Sequence, residues 1–132
     1  MGYESRTGAV LFAKNPDRVA SFYAAVLGLV EASRADDHIV LESPGFQLVV
    51  HQIVSDGSAA GDSVPAARRA AAAFKPVFFV PSVSRLRDVA ETHGGVIEAA
   101  DHEWLFNGVT VCDGVDPEGN VIQFREHQTT RR

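Results

Sequence analysis

The side chains that could do chemistry are few and scattered. Cys112 is the single cysteine. It sits inside the apolar run Val109-Thr110-Val111-Cys112, where a thiol behaves as a small hydrophobe and not as a nucleophile. His102 and Glu103 are adjacent, so an extended backbone points them to opposite faces and they make no acid/base pair. No glycine-rich phosphate loop opens a helix. What remains is a set of polar and aromatic residues in or beside apolar segments. Gln123 breaks the apolar stretch Val121-Ile122-Gln123-Phe124, which points to an inward polar role. His51 ends another apolar stretch, either as a hydrogen-bonded strand end or as a polar contact to a ligand. Lys75 and Arg125 are either solvated strand ends on long stems or inward cations that favour an anion. Trp104 and Phe106 lie on the connection before a strand at 107–115. A lone Trp there is either packing or a plate on which a planar ligand stacks.

The elements that must position these residues can be read locally. A strand is expected over 8–13. Asn15-Pro16-Asp17 then opens a helix with an N-cap, a proline at the first position and an acid in the first turn. Val19, Phe22, Tyr23, Val26 and Leu27 form one apolar face at helical spacing, and Gly28 ends it. Strands follow near 29–34, 37–42 and 46–53, with turns at Asp36-Asp37 and Ser43-Pro44-Gly45. The plan then repeats. A strand over 75–80 leads to Ser82 as N-cap, then to a helix with Val83, Leu86, Val89 and Ala90 on one side. Gly94-Gly95 stops it. Strands are expected near 96–100, 107–115 and 121–126, the last two joined through Asp116-Pro117-Glu118-Gly119-Asn120. The connection 54–74 is long, and its part 65–73 has the composition of a short helix.

The repetition is visible residue by residue. Gly28-Leu29-Val30-Glu31-Ala32-Ser33 returns as Gly95-Val96-Ile97-Glu98-Ala99-Ala100, an offset of 67. The same offset carries Val10-Leu11-Phe12-Ala13 onto Val77-Phe78-Phe79-Val80 and Asn15 onto Ser82. The chain therefore reads as two related modules, module 1 over about 8–53 and module 2 over about 75–126, joined by the linker 54–74 in one domain over 1–132.

Two segments resemble the vicinal-oxygen-chelate superfamily of glyoxalases, extradiol dioxygenases and bleomycin-resistance proteins. One is Ser21-Phe22-Tyr23-Ala24-Ala25-Val26-Leu27-Gly28-Leu29, similar to that family's helix end. The other is Asp116-Pro117-Glu118-Gly119-Asn120-Val121-Ile122, similar to its last hairpin. The resemblance implies an α+β fold of two tandem βαβββ modules, their half-barrel sheets set around a central cleft. It also implies where a metal would sit: at the start of each module's first strand and on the inward face of each module's last. Those positions fall on Gly8, Lys75, Gln123 and either Val49 or His51. Glycine has no donor and a protonated lysine repels a cation. A slip of one residue gives Ala9 and Pro76, which are no better. Two neutral ligands make a poor site, so neither a metal nor a cofactor is expected. Counting alternate residues from these positions groups Gly8, Val10, Phe12; Gln47, Val49, His51; Lys75, Val77, Phe79; and Val121, Gln123, Arg125. The expected ligand-binding residues are His51 and Gln123 for polar contacts, Phe12, Phe79 and Trp104 for apolar walls, and Lys75 and Arg125 where they turn inward.

Composition sets the outer limits. At 132 residues and a net charge of −5, one domain with a core and no disulfide is expected. The acidic balance and the lack of a basic cluster argue against nucleic acid. The first residues lack a signal peptide's apolar core, no run is long enough to span a bilayer, and one unpaired cysteine suits a reducing compartment. The expectation is a cytoplasmic homodimer that sequesters or carries a small molecule. The alternative is a metal-dependent lyase or dioxygenase of the same superfamily.

Overall fold

The computed structural model describes residues 5–53, 68–69 and 72–127. The chain forms two compact units, Met1–Asp62 and Ser63–Arg132. The helix expected over 65–73 falls mostly outside the described residues.

In unit 1, strand β1 (Thr7–Ala13) leads into helix α1 (Pro16–Leu27), followed by β2 (Val30–Arg34), β3 (His38–Ser43) and β4 (Phe46–Gln52). The helix starts as its sequence requires. The Asn15 side chain accepts from the Arg18 backbone N–H at 3.2 Å, Pro16 occupies the first turn, and Gly28 closes the end with φ +70°. The sheet order is β1-β4-β3-β2, with β1 parallel to β4 and the other pairs antiparallel. The core lies between one sheet face and the helix. Ala13, Ile39, Leu41, Leu48 and Val50 from the strands, and Val19, Phe22, Tyr23 and Val26 from α1, are buried.

Unit 2 repeats this plan with β5 (Val77–Val80), helix α2 (Val83–Thr92), β6 (Val96–Ile97), a 3-10 turn at Ala100–His102, β7 (Trp104–Phe106), β8 (Val109–Val115) and β9 (Val121–Glu126). Ser82 caps α2 through Arg85 N at 3.3 Å. The sheet order is β5-β9-β8-β6, and β7 pairs with β8. Val80, Val83, Ala90, Ile97, Cys112, Ile122 and Phe124 form the core. The Asp116 carboxylate is buried and accepts from Glu118 N at 2.8 Å, Asn120 N at 3.0 Å and Asn120 Nδ2 at 2.8 Å, which fixes the last hairpin.

Unit 2 departs from the sequence expectation at three strands, the first being β5, which begins at Val77 and leaves Lys75 outside the strand expected over 75–80. The segment around Trp104, read above as a connection, is a strand, and the strand after it begins at Val109. The register explains why. Phe12 pairs with His51 and Phe79 with Arg125, so the repeat offset of 67 grows to 74 by the last strand. Seven extra residues enter module 2 between its second and last strands, in the stretch that includes β7. The expected strand 96–100 is correspondingly short, ending at Ile97. No helix among the described residues is long and apolar enough to cross a membrane.

Candidate functional site

Each unit turns one sheet face to its helix and leaves the other without one. Directly paired residues share a face, so the registers define these second faces row by row. In unit 1 the rows are Gly8, Gln47 and Glu42; Val10, Val49 and Val40; and Phe12, His51 and His38. In unit 2 they are Val77, Gln123 and Asp113, then Phe79, Arg125, Val111 and Trp104, with Phe106 beside Val109. The alternate residues counted from the sequence share a face wherever they lie in strands; Lys75, before β5, is outside the register. Of the two residues weighed as the counterpart of Gln123, the register selects Val49; His51, one row on, corresponds to Arg125.

These faces carry large apolar side chains that the cores do not take. Phe12 is 56% exposed, Phe79 52% and Trp104 41%; Val10, Val77 and Phe106 are exposed as well. Among them stand a few well-held polar groups. Gln123 is buried, and its Oε1 accepts from Arg125 Nε at 2.7 Å. The Arg125 guanidinium lies 4.6 Å over the Phe106 ring, a stacked cation. Among the described residues no carboxylate forms an ion pair with Arg125, so its charge is open to a ligand. Lys75 precedes β5 and is not free in this way: its Nζ lies 3.1 Å from Asp113 Oδ2. Asp113, paired with Gln123, was missed in the sequence. It breaks an apolar strand just as Gln123 does, and the antiparallel register puts the two side by side.

Arg87 of α2 ties down the segment just before Trp104. The Arg87 Nε donates to the Glu98 carbonyl at 2.7 Å, and its Nη2 meets Glu103 Oε2 at 2.6 Å. The Glu103 carboxylate raises the guanidinium above its ordinary value. The turn into β8 is Asn107-Gly108, with φ of +51° and +81°, a pair suited to a two-residue hairpin turn that needs positive φ twice. That dipeptide, between aromatic and β-branched residues, was the available sequence signal for β7.

The metal implied by the fold's enzymes does not fit. A Cβ at Gly8 would stand 2.3 Å from the Gln47 carbonyl oxygen, so that position cannot carry any side chain without moving the strands. Lys75 is an ammonium paired to Asp113, Val49 is apolar, and Gln123 Oε1 already accepts from Arg125. His51 pairs with Phe12, four residues along β1 from Gly8, which is about 13 Å at strand rise.

No protein-family model matches the chain, and no curated protein matches it. Solved structures do. A glyoxalase/bleomycin resistance protein/dioxygenase family enzyme from Burkholderia phytofirmans is 17% identical with a TM-score of 0.66, covering 91% of this chain and 96% of that one. A bleomycin resistance determinant encoded on the transposon Tn5 is 17% identical with a TM-score of 0.61, covering 96% and 100%. A lactoylglutathione lyase from Agrobacterium tumefaciens is 19% identical with a TM-score of 0.59, covering 95% of each. The chain thus has the glyoxalase/bleomycin-resistance fold, as its two motifs predicted.

Proposed function

We propose that this chain binds a small, planar, largely apolar molecule bearing an anionic group, as a sequestering or carrier protein, with no metal at the positions used by the fold's enzymes. The observation that carries the reading is the unit 2 face on which Phe79, Trp104 and Phe106 are exposed around the half-buried Arg125, with Val111 buried among them, repeated in simpler form by Val10 and Phe12 in unit 1. Large apolar side chains left exposed on one face mark binding sites. The Arg125 guanidinium, stacked on Phe106 and held by Gln123 through Nε, has no carboxylate partner among the described residues; it selects an anion with a flat body, because its remaining donors lie beside stacking surfaces. Gln123, whose amide both donates and accepts, stands beside Arg125 and supplies a second polar contact on the same unit. A resistance determinant shares this fold, and removing a toxic small molecule from solution needs no chemistry beyond binding.

The lyase or dioxygenase alternative needs three or four metal donors, and Gly8, Lys75 and Val49 supply none. The working unit in this reading is a cytoplasmic homodimer. Native mass spectrometry of chain purified from its own host tests the proposal. The expected result is a co-purifying organic anion, reduced on Arg125→Ala. A chain that carries no ligand there, and that consumes a 2-oxoaldehyde thiol adduct or a catechol when given a divalent metal, overturns it.

A further inference from the structure

We propose that Asp37, His38 and His51 form a binding site for one first-row divalent metal ion on unit 1. This site is separate from the positions used by the fold's enzymes, and it does not depend on the small-molecule reading. The sequence reading expected no metal because it weighed only positions equivalent to those enzymes' ligands. Asp37 was read there only as part of a turn.

The residues meet through strand register. His38 and His51 are directly paired across β3 and β4, and their rings stack 5.8 Å apart at an interplanar angle of 9°. Asp37, one residue before β3, reaches both: His38 Nδ1 is 2.7 Å from its Oδ1, and His51 Nε2 is 3.6 Å from its Oδ2. One ligand atom from each residue lies within 4.8 Å of the other two. Tetrahedral coordination with bonds of about 2.0–2.2 Å sets donors roughly 3.4 Å apart. The His51–Asp37 distance is already close to that, and the His38–Asp37 hydrogen bond must open by about 0.7 Å to admit an ion in place of its proton.

Two further features favour a metal over a plain charge cluster. His51 Nδ1 is 2.9 Å from the Gln52 carbonyl oxygen. A carbonyl can only accept, so Nδ1 carries a hydrogen, and Nε2, on the Asp37 side, is the nitrogen left to bind an ion. A metal-binding histidine is ordinarily held in this way, through its other ring nitrogen. The turn is also tied to β4, since Gln52 N donates to the Asp37 carbonyl at 2.7 Å. The two rings are each about one-third exposed and Asp37 more so, which leaves a coordination position open to water. Two imidazoles and one carboxylate suit Zn, Ni or Cu, and not Mg or Ca, which prefer all-oxygen sites.

The test is a titration of the chelator-stripped full chain with Co(II), read by visible absorption, and with Zn(II), read by calorimetry. The expected result is one ion per chain with the strong absorption of a four-coordinate cobalt site. His38→Ala and His51→Ala should each weaken binding at least tenfold and Asp37→Asn severalfold, while His102→Ala leaves it unchanged. No saturable binding, or binding that survives both histidine changes, overturns the proposal. Should either variant fail to fold, the unaltered chain decides. Zn must move the imidazole resonances of His38 and His51 and leave those of His93, His102 and His127 in place; any other pattern is contrary to the proposal.

Discussion

At the residue scale, single side chains separate chemistry from structure. Cys112 is fully buried. Its thiol is pushed up by that burial, against the pull of the Arg87 guanidinium. The native chain therefore holds the thiol proton more tightly than the unfolded chain. Stability from this group is complete below the unfolded thiol's value of about 8.5 and falls as pH rises beyond it. Labelling with an aromatic disulfide reagent at pH 8 should be negligible in the native state and complete in denaturant. Native labelling at the rate of a free thiol would place Cys112 at a surface. Gly8 makes the opposite point, since its importance is the absence of a side chain. Gly8→Ala forces a Cβ against the Gln47 carbonyl and should lower unfolding free energy by about 1–3 kcal/mol, measurable in urea. The burial of Cys112 and the polar place of Gln123 were both legible in the sequence, because each breaks or joins an apolar strand pattern. Asp37 and His38 were not, because a pair of strands had to be registered before the two histidines could be seen to meet.

At the element scale, the helices were legible because their signals are local. Asn15, Ser82 and Gly28 cap as their types require, and Asn15→Ala should cost about 1 kcal/mol in a thermal melt. The strand β7 was hidden by the repeat itself. Aligned at a constant offset, module 2 offers no partner for a ninth strand, and six of the seven added residues fall where module 1 has only the turn between β2 and β3, the seventh falling in the last hairpin. Asn107 and Gly108 build that hairpin with two positive φ angles. Gly108→Val should therefore loosen it by about 1–2 kcal/mol. Amide exchange at Trp104–Phe106 should rise while β5 and β9 keep their protection. Equal loosening across the sheet would mean that β7 is integral to the core and not an addition to it.

At the scale of the whole molecule, the duplication and its two motifs were enough to reach the fold, since strand order and parallel pairing of first and last strands follow from the module plan. Function was less legible, because it depends on which residues share a face and which charges are already paired. The two edges of the unit 1 sheet also differ. Strand β2 has a register irregularity between Glu31 and Ser33 and the Glu31–Arg34 ion pair, devices that discourage edge pairing. Strand β1, Thr7–Ala13, is uncharged and regular. Such an edge invites a partner, and sedimentation should show a dimer at micromolar concentration; a clean monomer would contradict it. The account rests most on the Phe79–Arg125–Trp104 face. Trp104 is the sole tryptophan, so its fluorescence reports on that face alone. Titration with anilinonaphthalene sulfonate, a flat aromatic anion, should quench it saturably at one site per chain. Arg125→Ala and Phe79→Ser should each weaken that binding about tenfold, the worth of a charged hydrogen bond or a stacked ring. Unsaturable quenching, or the same affinity in both variants, would contradict the account.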